Sequence, residues 1–105
     1  MPVIHLTTEA FHQQIEVDQT TALVEFQAPW CSHCRRLGPA LAALSEERPS
    51  LLVAEVDIDE SPRLAEQFDI EVVPTLLFFR SGKPTGFLTG PESKAAVSRF
   101  LEAQG

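Results

Sequence analysis

Apolar and polar residues follow two periods along this chain, alternating strand-like and helix-like blocks with no linker, repeat or low-complexity stretch between them. Val3 to Leu6 is a short apolar segment that reads as an edge strand. Thr8 stands where a helix cap would, ahead of Phe11 and Ile15 on one helical face. Thr21 to Gln27 is a buried-strand pattern whose one acid is Glu25. From Cys34 through Leu37, Leu41 and Leu44 the apolar residues recur at helical spacing. Pro39 falls inside that helix, where it removes a backbone hydrogen bond and is expected to kink it.

Leu51 to Val56 reads as a second buried strand. Ser61-Pro62 has the form of a cap followed by proline at the first helical position, opening a short helix through Phe68. Thr75 to Phe79 is strongly strand-forming, Ser81-Gly82-Lys83 supplies a turn, and Thr85 to Leu88 returns as the second arm of a hairpin. Gly90 and Pro91 break the chain before a last amphipathic helix carrying Ala95, Val97, Phe100 and Leu101. The order β-α-β-α-β-α-β-β-α predicts an α/β fold, a central mixed sheet flanked by helices on both faces.

At 105 residues the chain is read as one domain spanning 1–105, long enough for a single core. The apolar fraction of 44% with 22% charged residues argues against disorder. A net charge of −7, spread along the chain, disfavours nucleic acid and anionic membrane as partners. No apolar run approaches transmembrane length, and Met1 to Thr8 lacks the pattern of a secretory signal. With Met1 as the natural start, the expected address is cytoplasmic. Two cysteines in one motif build no disulfide framework, so any bond they make is catalytic or regulatory.

Both cysteines lie in Ala28-Pro29-Trp30-Cys31-Ser32-His33-Cys34. This spacing suits either a reversible disulfide or half of a metal site. Cys31 sits where a strand hands over to a helix N-terminus, whose unpaired N–H groups and dipole favour thiolate over thiol. Zinc wants four ligands, and His5, His12 and His33 stand at no usual spacing from the cysteines. Neither a metal nor a cofactor is expected.

With these residues in view, the chain resembles the thioredoxin family from end to end. The resemblance rests on Ala28-Pro29-Trp30-Cys31 with Cys34, Pro39, the run Val53 to Asp59, Val73-Pro74-Thr75, Gly82 and Gly90. It implies the thioredoxin fold and thiol–disulfide exchange on protein disulfides. Cys31 is then the attacking thiolate, partly exposed at the helix N-terminus and with lowered pKa, and Cys34 resolves the mixed disulfide. Positions i and i+3 share a helix face, which brings the two sulfurs within bonding reach. The resemblance also implies that Pro74 is cis and lies against the active-site disulfide. Val73 offers its backbone to a bound peptide, and Trp30, Thr75 and Gly90 complete the substrate surface.

Several positions depart from the commonest family pattern. His33 replaces the proline typical of thioredoxin and matches protein disulfide isomerase domains. It is either a solvated histidine on the first helical turn or, as we favour, an imidazole that stabilises the Cys31 thiolate. The second reading makes the pair more oxidising than typical thioredoxin. Glu25 holds the place of the family's buried acid, where a raised pKa would let it take the proton from Cys34. Glu55 stands in the strand where the family often has a lysine. It is either close enough to raise the proton affinity of Glu25 or an exposed strand-end acid. Gln27 replaces an aromatic residue, and Arg35 reads either as an electrostatic support of the thiolate or, as we favour, as part of a solvated helix face.

The resemblance therefore implies a disulfide oxidoreductase acting on protein disulfides, recycled by an electron donor such as thioredoxin reductase, and monomeric. A disulfide oxidase or isomerase is the second reading, on His33 and Glu25. A peptide-binding module without redox turnover is the third.

Overall fold

The computed structural model describes residues 3–105; Met1 and Pro2, at the head of the N-terminus read above as signal-free, lie outside them. Five strands form one mixed sheet: β1 (Ile4–His5), β2 (Ala22–Gln27), β3 (Leu52–Asp57), β4 (Thr75–Arg80) and β5 (Lys83–Thr89). Their spatial order is β1-β3-β2-β4-β5. β1 and β2 both run parallel to β3, and β4 is antiparallel to both β2 and β5. Central β2 is covered on both faces, which accounts for its nearly unbroken apolar run. The expected α/β architecture is the one observed.

Side-chain alternation along the strands builds two apolar layers. Val24, Phe26, Ala54, Val56, Leu77 and Phe79 face one side, against Phe11, Ile15 and Leu64. Phe11, Phe68 and Phe79 meet there edge to face, with ring centroids 5.4–5.6 Å apart. Leu23, Val53, Leu76 and Phe78 face the other side, against Leu37, Leu41, Leu44, Val97 and Leu101. Helices α1 (Thr8–Phe11) and α3 (Pro62–Gln67) thus cover the first face, and α2 (Ser32–Glu47) and α4 (Lys94–Ala103) the second.

Four local expectations are corrected. The N-cap of α1 is Thr7 rather than Thr8: its hydroxyl accepts from the Ala10 N–H at 3.1 Å. Beyond Phe11 the helix widens into a π-helical stretch, His12–Val17, that still keeps Ile15 in the core. Ser61 stands at the N-cap of α3 with Pro62 behind it, yet its hydroxyl makes no capping bond and is buried without a partner among the described residues. On α4, Ala95 is exposed while Val97 and Leu101 carry the buried stripe, and Ser93 supplies the cap.

The β4–β5 hairpin turns on Ser81 and Gly82, both at positive φ as a tight two-residue turn requires. Pro84 lies on edge strand β5 beside the bulge at Phe78/Phe79, a place where its missing N–H costs no ladder bond to a further strand.

Candidate active site

β2 delivers the chain through Ala28, Pro29 and Trp30 into the N-terminus of α2, and both cysteines sit at that junction. Cys31 is the N-cap residue in extended conformation, and its sulfur accepts from the Cys34 N–H at 3.1 Å. Cys31 and Cys34 are joined as a disulfide, their Cα atoms 5.3 Å apart. Both are buried among Ala28, Ile58 and Val73, so Cys31 is not partly exposed as expected: in the disulfide its sulfur is covered by the loop that carries Val73. The outer sulfur therefore already occupies a spot reached by one of the unpaired amides of a helix start, where negative charge on sulfur is favoured.

Across from the disulfide, the Val73–Pro74 peptide bond is cis. The Val73 carbonyl oxygen lies 3.8 Å from the Cys31 sulfur. Pro74 is anchored from behind, its carbonyl accepting from the Gly90 N–H at 2.8 Å, and Gly90 takes a positive φ that a side chain would resist. Thr75 is buried, and its hydroxyl donates to the Val72 carbonyl at 2.7 Å, so it braces the loop from within. Trp30 is 65% exposed at the mouth, and its indole N–H donates to the Asp59 carboxylate at 2.9 Å. Arg35 reaches back to the Pro29 carbonyl at 2.6 Å and ties the motif's two ends together.

His33 turns toward the segment that precedes α4: its Nε2–H donates to the Pro91 carbonyl at 2.9 Å. The ring is half-buried against Gly90 and Pro91. The histidine is held in place by a residue far away in sequence.

Glu25 lies on the sheet face beneath α2 and is only 3% exposed, with its Oε2 lacking a hydrogen-bond partner among the described residues. It lines a cleft of about 460 Å³ together with Gly38 and Leu41 of α2 and with Glu55. Gly38 and Leu41 follow Cys34 at helical spacing, so the same helix stripe carries the inner cysteine and roofs the acid. Burial, and next the charge of Glu55, push the Glu25 carboxyl from its ordinary 4.5 up to about 8. Glu55 is the register partner of Glu25 on β3, which decides between its two readings: the acids are neighbours.

Among the described residues no group of three or more His, Cys, Asp or Glu side chains is placed to hold a metal ion. The sequence did not mark Asp59 and Pro91 as partners of Trp30 and His33: Asp59 falls in the run Val53 to Asp59 that carried the resemblance, and Pro91 was read only as a break before the last helix.

The thioredoxin family model matches residues 2–103. The chain belongs to the thioredoxin family. Thioredoxin from Porphyra purpurea is 32% identical over 102 residues, covering 96% of this chain and 95% of the relative. A bifunctional thioredoxin reductase/thioredoxin from Mycobacterium leprae is 34% identical over 93% of this chain, which spans only 22% of that protein's length. Protein disulfide-isomerase A4 from Rattus norvegicus is 38% identical over 94% of the chain and 16% of its own length. With its Cys31–Cys34 pair, this family member is a thioredoxin-like thiol–disulfide oxidoreductase, a protein-disulfide reductase. Among the described residues no helix is long and apolar enough to cross a membrane.

Proposed function

We propose that Cys31 opens protein disulfides and Cys34 completes the exchange, with Glu25 as the proton acceptor and residues 1–105 acting as one monomeric unit. The observation that carries this reading is the cap: an N–H at the mouth of α2 already points at the Cys31 sulfur. The Cys31 thiolate attacks one sulfur of the substrate disulfide, and the other sulfur leaves as a thiolate. Glu25 takes the proton of Cys34, whose thiolate then attacks Cys31. The Cys31–Cys34 bond forms, the bond to substrate breaks, and the second substrate sulfur departs. Two electrons pass from the dithiol to the substrate.

The peptide around the substrate disulfide lies along Val73 and Pro74, pairing with the Val73 backbone, while Trp30 and Gly90 shape the surface and buried Thr75 braces the loop behind it. An electron-donor reductase restores the dithiol. The relative in which thioredoxin reductase and thioredoxin are one polypeptide supports a reductase of that kind. A reducing compartment, the cytoplasm, suits a chain whose two cysteines serve exchange rather than a framework.

His33 supports a finer statement: the pair is more oxidising than typical thioredoxin. A protonated imidazole on the first turn of α2 favours the Cys31 thiolate and hence the dithiol form. About 30 mV corresponds to about 1.4 kcal/mol in a two-electron couple, so one such contact moves the poise measurably. The similarity to a disulfide isomerase gives the oxidase or isomerase reading its support.

Insulin reduction with dithiothreitol as electron source tests the main reading. The protein should accelerate it, and Cys31→Ser should abolish the acceleration; no acceleration by the wild-type chain overturns the reading. Equilibration against glutathione tests the finer one. His33→Pro should lower the potential, and equal potentials reject a tuning role for His33. Refolding of a scrambled disulfide protein separates isomerase from reductase.

A further inference from the structure

A row of ionisable side chains crosses the sheet from its edge to its centre. His5 on β1 is the register partner of Glu55 on β3, and Glu55 is the register partner of Glu25 on β2. Register partners in parallel strands present their side chains on one face, so the three stand side by side beneath α2. The outer end is open to solvent and the inner end is closed. His5 Nδ1 lies 3.8 Å from Glu55 Oε1, and its Nε2 lies 2.8 Å from Glu60 Oε1.

The groups facing Glu25 are few. From β3 comes Glu55, from β4 the apolar Leu76, and from α2 the carboxylate of Glu46 across the cleft, alongside Gly38 and Leu41. Among the described residues no cation lines this cleft. Asp57 lies two residues beyond Glu55 on the same strand and is occupied by the Asp59 and Glu60 amides. His5 is thus the nearest group in the row able to carry positive charge, and it reaches Glu25 only through Glu55.

We propose that His5 is a positioning residue for the exchange reaction: its protonation offsets the Glu55 charge and so sets how tightly Glu25 holds its proton. The proposal rests on Glu25 serving as the acceptor for the Cys34 proton. Glu55 alone keeps that acceptor already protonated, because a second negative charge beside it disfavours the ionised form in a half-buried cleft. A cation drawn against Glu55 at the sheet edge relieves this. The neutral imidazole does not. The rate at which Cys34 resolves the mixed disulfide then follows the protonation of a surface histidine that touches neither sulfur nor substrate.

The test compares His5→Lys, which fixes a cation at the edge, with His5→Gln, which removes it. The Glu25 carboxyl is followed by carbon NMR across pH in the oxidised protein, where no turnover is needed. Glu25 should release its proton at lower pH in His5→Lys than in His5→Gln, by roughly half a pH unit. Glu55→Gln should lower it from about 8 by roughly one pH unit. The pH profile of insulin reduction should move with the carboxyl in each variant. Identical Glu25 titration in His5→Lys and His5→Gln overturns the proposal. Because His5 is exposed at an edge, both variants keep the test available even if Glu55→Gln fails to fold. Should the wild-type chain fail to reduce insulin while the Glu25 midpoints still separate, the acceptor role falls and the electrostatic row stands.

Discussion

The backbone N–H of Cys34 donates to the sulfur of Cys31, so one atom serves as reaction centre and as helix cap. The two duties separate under substitution. Cys31→Ser keeps a capping oxygen and Cys31→Ala does not, while both lose the disulfide and the exchange reaction. Cys31→Ala should therefore be less stable than Cys31→Ser by about 1 kcal/mol, at the typical worth of an N-cap. Urea denaturation of the two variants measures the difference. Equal midpoints would mean that the cap contributes nothing to α2.

Glu25 makes stability depend on pH in a stated direction. Folded, it keeps its proton to about pH 8, whereas the unfolded chain releases it around 4.5. Between those values the folded state binds the extra proton, so the contribution is complete below pH 4.5 and is lost as pH rises through 8. The full swing from this one group is on the order of 5 kcal/mol. Glu25→Gln removes it. The variant should be markedly more stable than wild type at pH 9 and close to it at pH 4, as read from urea midpoints at a series of pH values. A wild-type profile parallel to that of Glu25→Gln across this window contradicts the assignment.

The strands and the motif were legible because their signals are local. Leu23 to Phe26 and Thr75 to Phe79 are apolar runs that only a covered sheet explains, and Cys31 with Cys34 announces itself by spacing and by its place between strand and helix. Cap identity was harder. Thr7 and Thr8 are equally able to cap, and only backbone geometry selects the first. The π-helical slip at His12–Val17 and the unused hydroxyl of Ser61 leave no pattern in the sequence, since each follows from how the element packs. The bond from His33 to Pro91 spans 58 positions, and that from Trp30 to Asp59 spans 29. Such pairs come from topology. The placement of Glu55 beside Glu25 is of the same kind, since strand register decides it.

Trp30 is the chain's single tryptophan, held at the mouth of the site by one hydrogen bond to Asp59. Both groups are exposed, so Asp59→Ala should leave stability within about 0.5 kcal/mol of wild type. Its effect should fall on substrates wide enough to rest on the indole. We expect kcat/KM for insulin to drop several-fold, with little change for a small soluble disulfide that needs only the sulfur. Tryptophan fluorescence anisotropy should fall with it. Equal losses on both substrates would place Asp59 in the chemistry rather than in docking.

Gly38 is an unusual choice for the interior of α2, where glycine costs roughly 0.5–1 kcal/mol relative to alanine. Outside its chain neighbours and the helix's own backbone, a methyl group added there meets no atom within 4 Å. Gly38→Ala should therefore raise stability by about 0.5–1 kcal/mol, a few degrees in Tm. The same methyl takes room from the cleft that Gly38 shares with Glu25 and Glu55. Less room for solvent beside a buried carboxyl makes its ionised form costlier, so Glu25 should hold its proton to higher pH. Insulin reduction at neutral pH should then slow several-fold while Tm rises. A variant that is more stable and equally fast would show that the open cleft contributes nothing to the handling of the Cys34 proton.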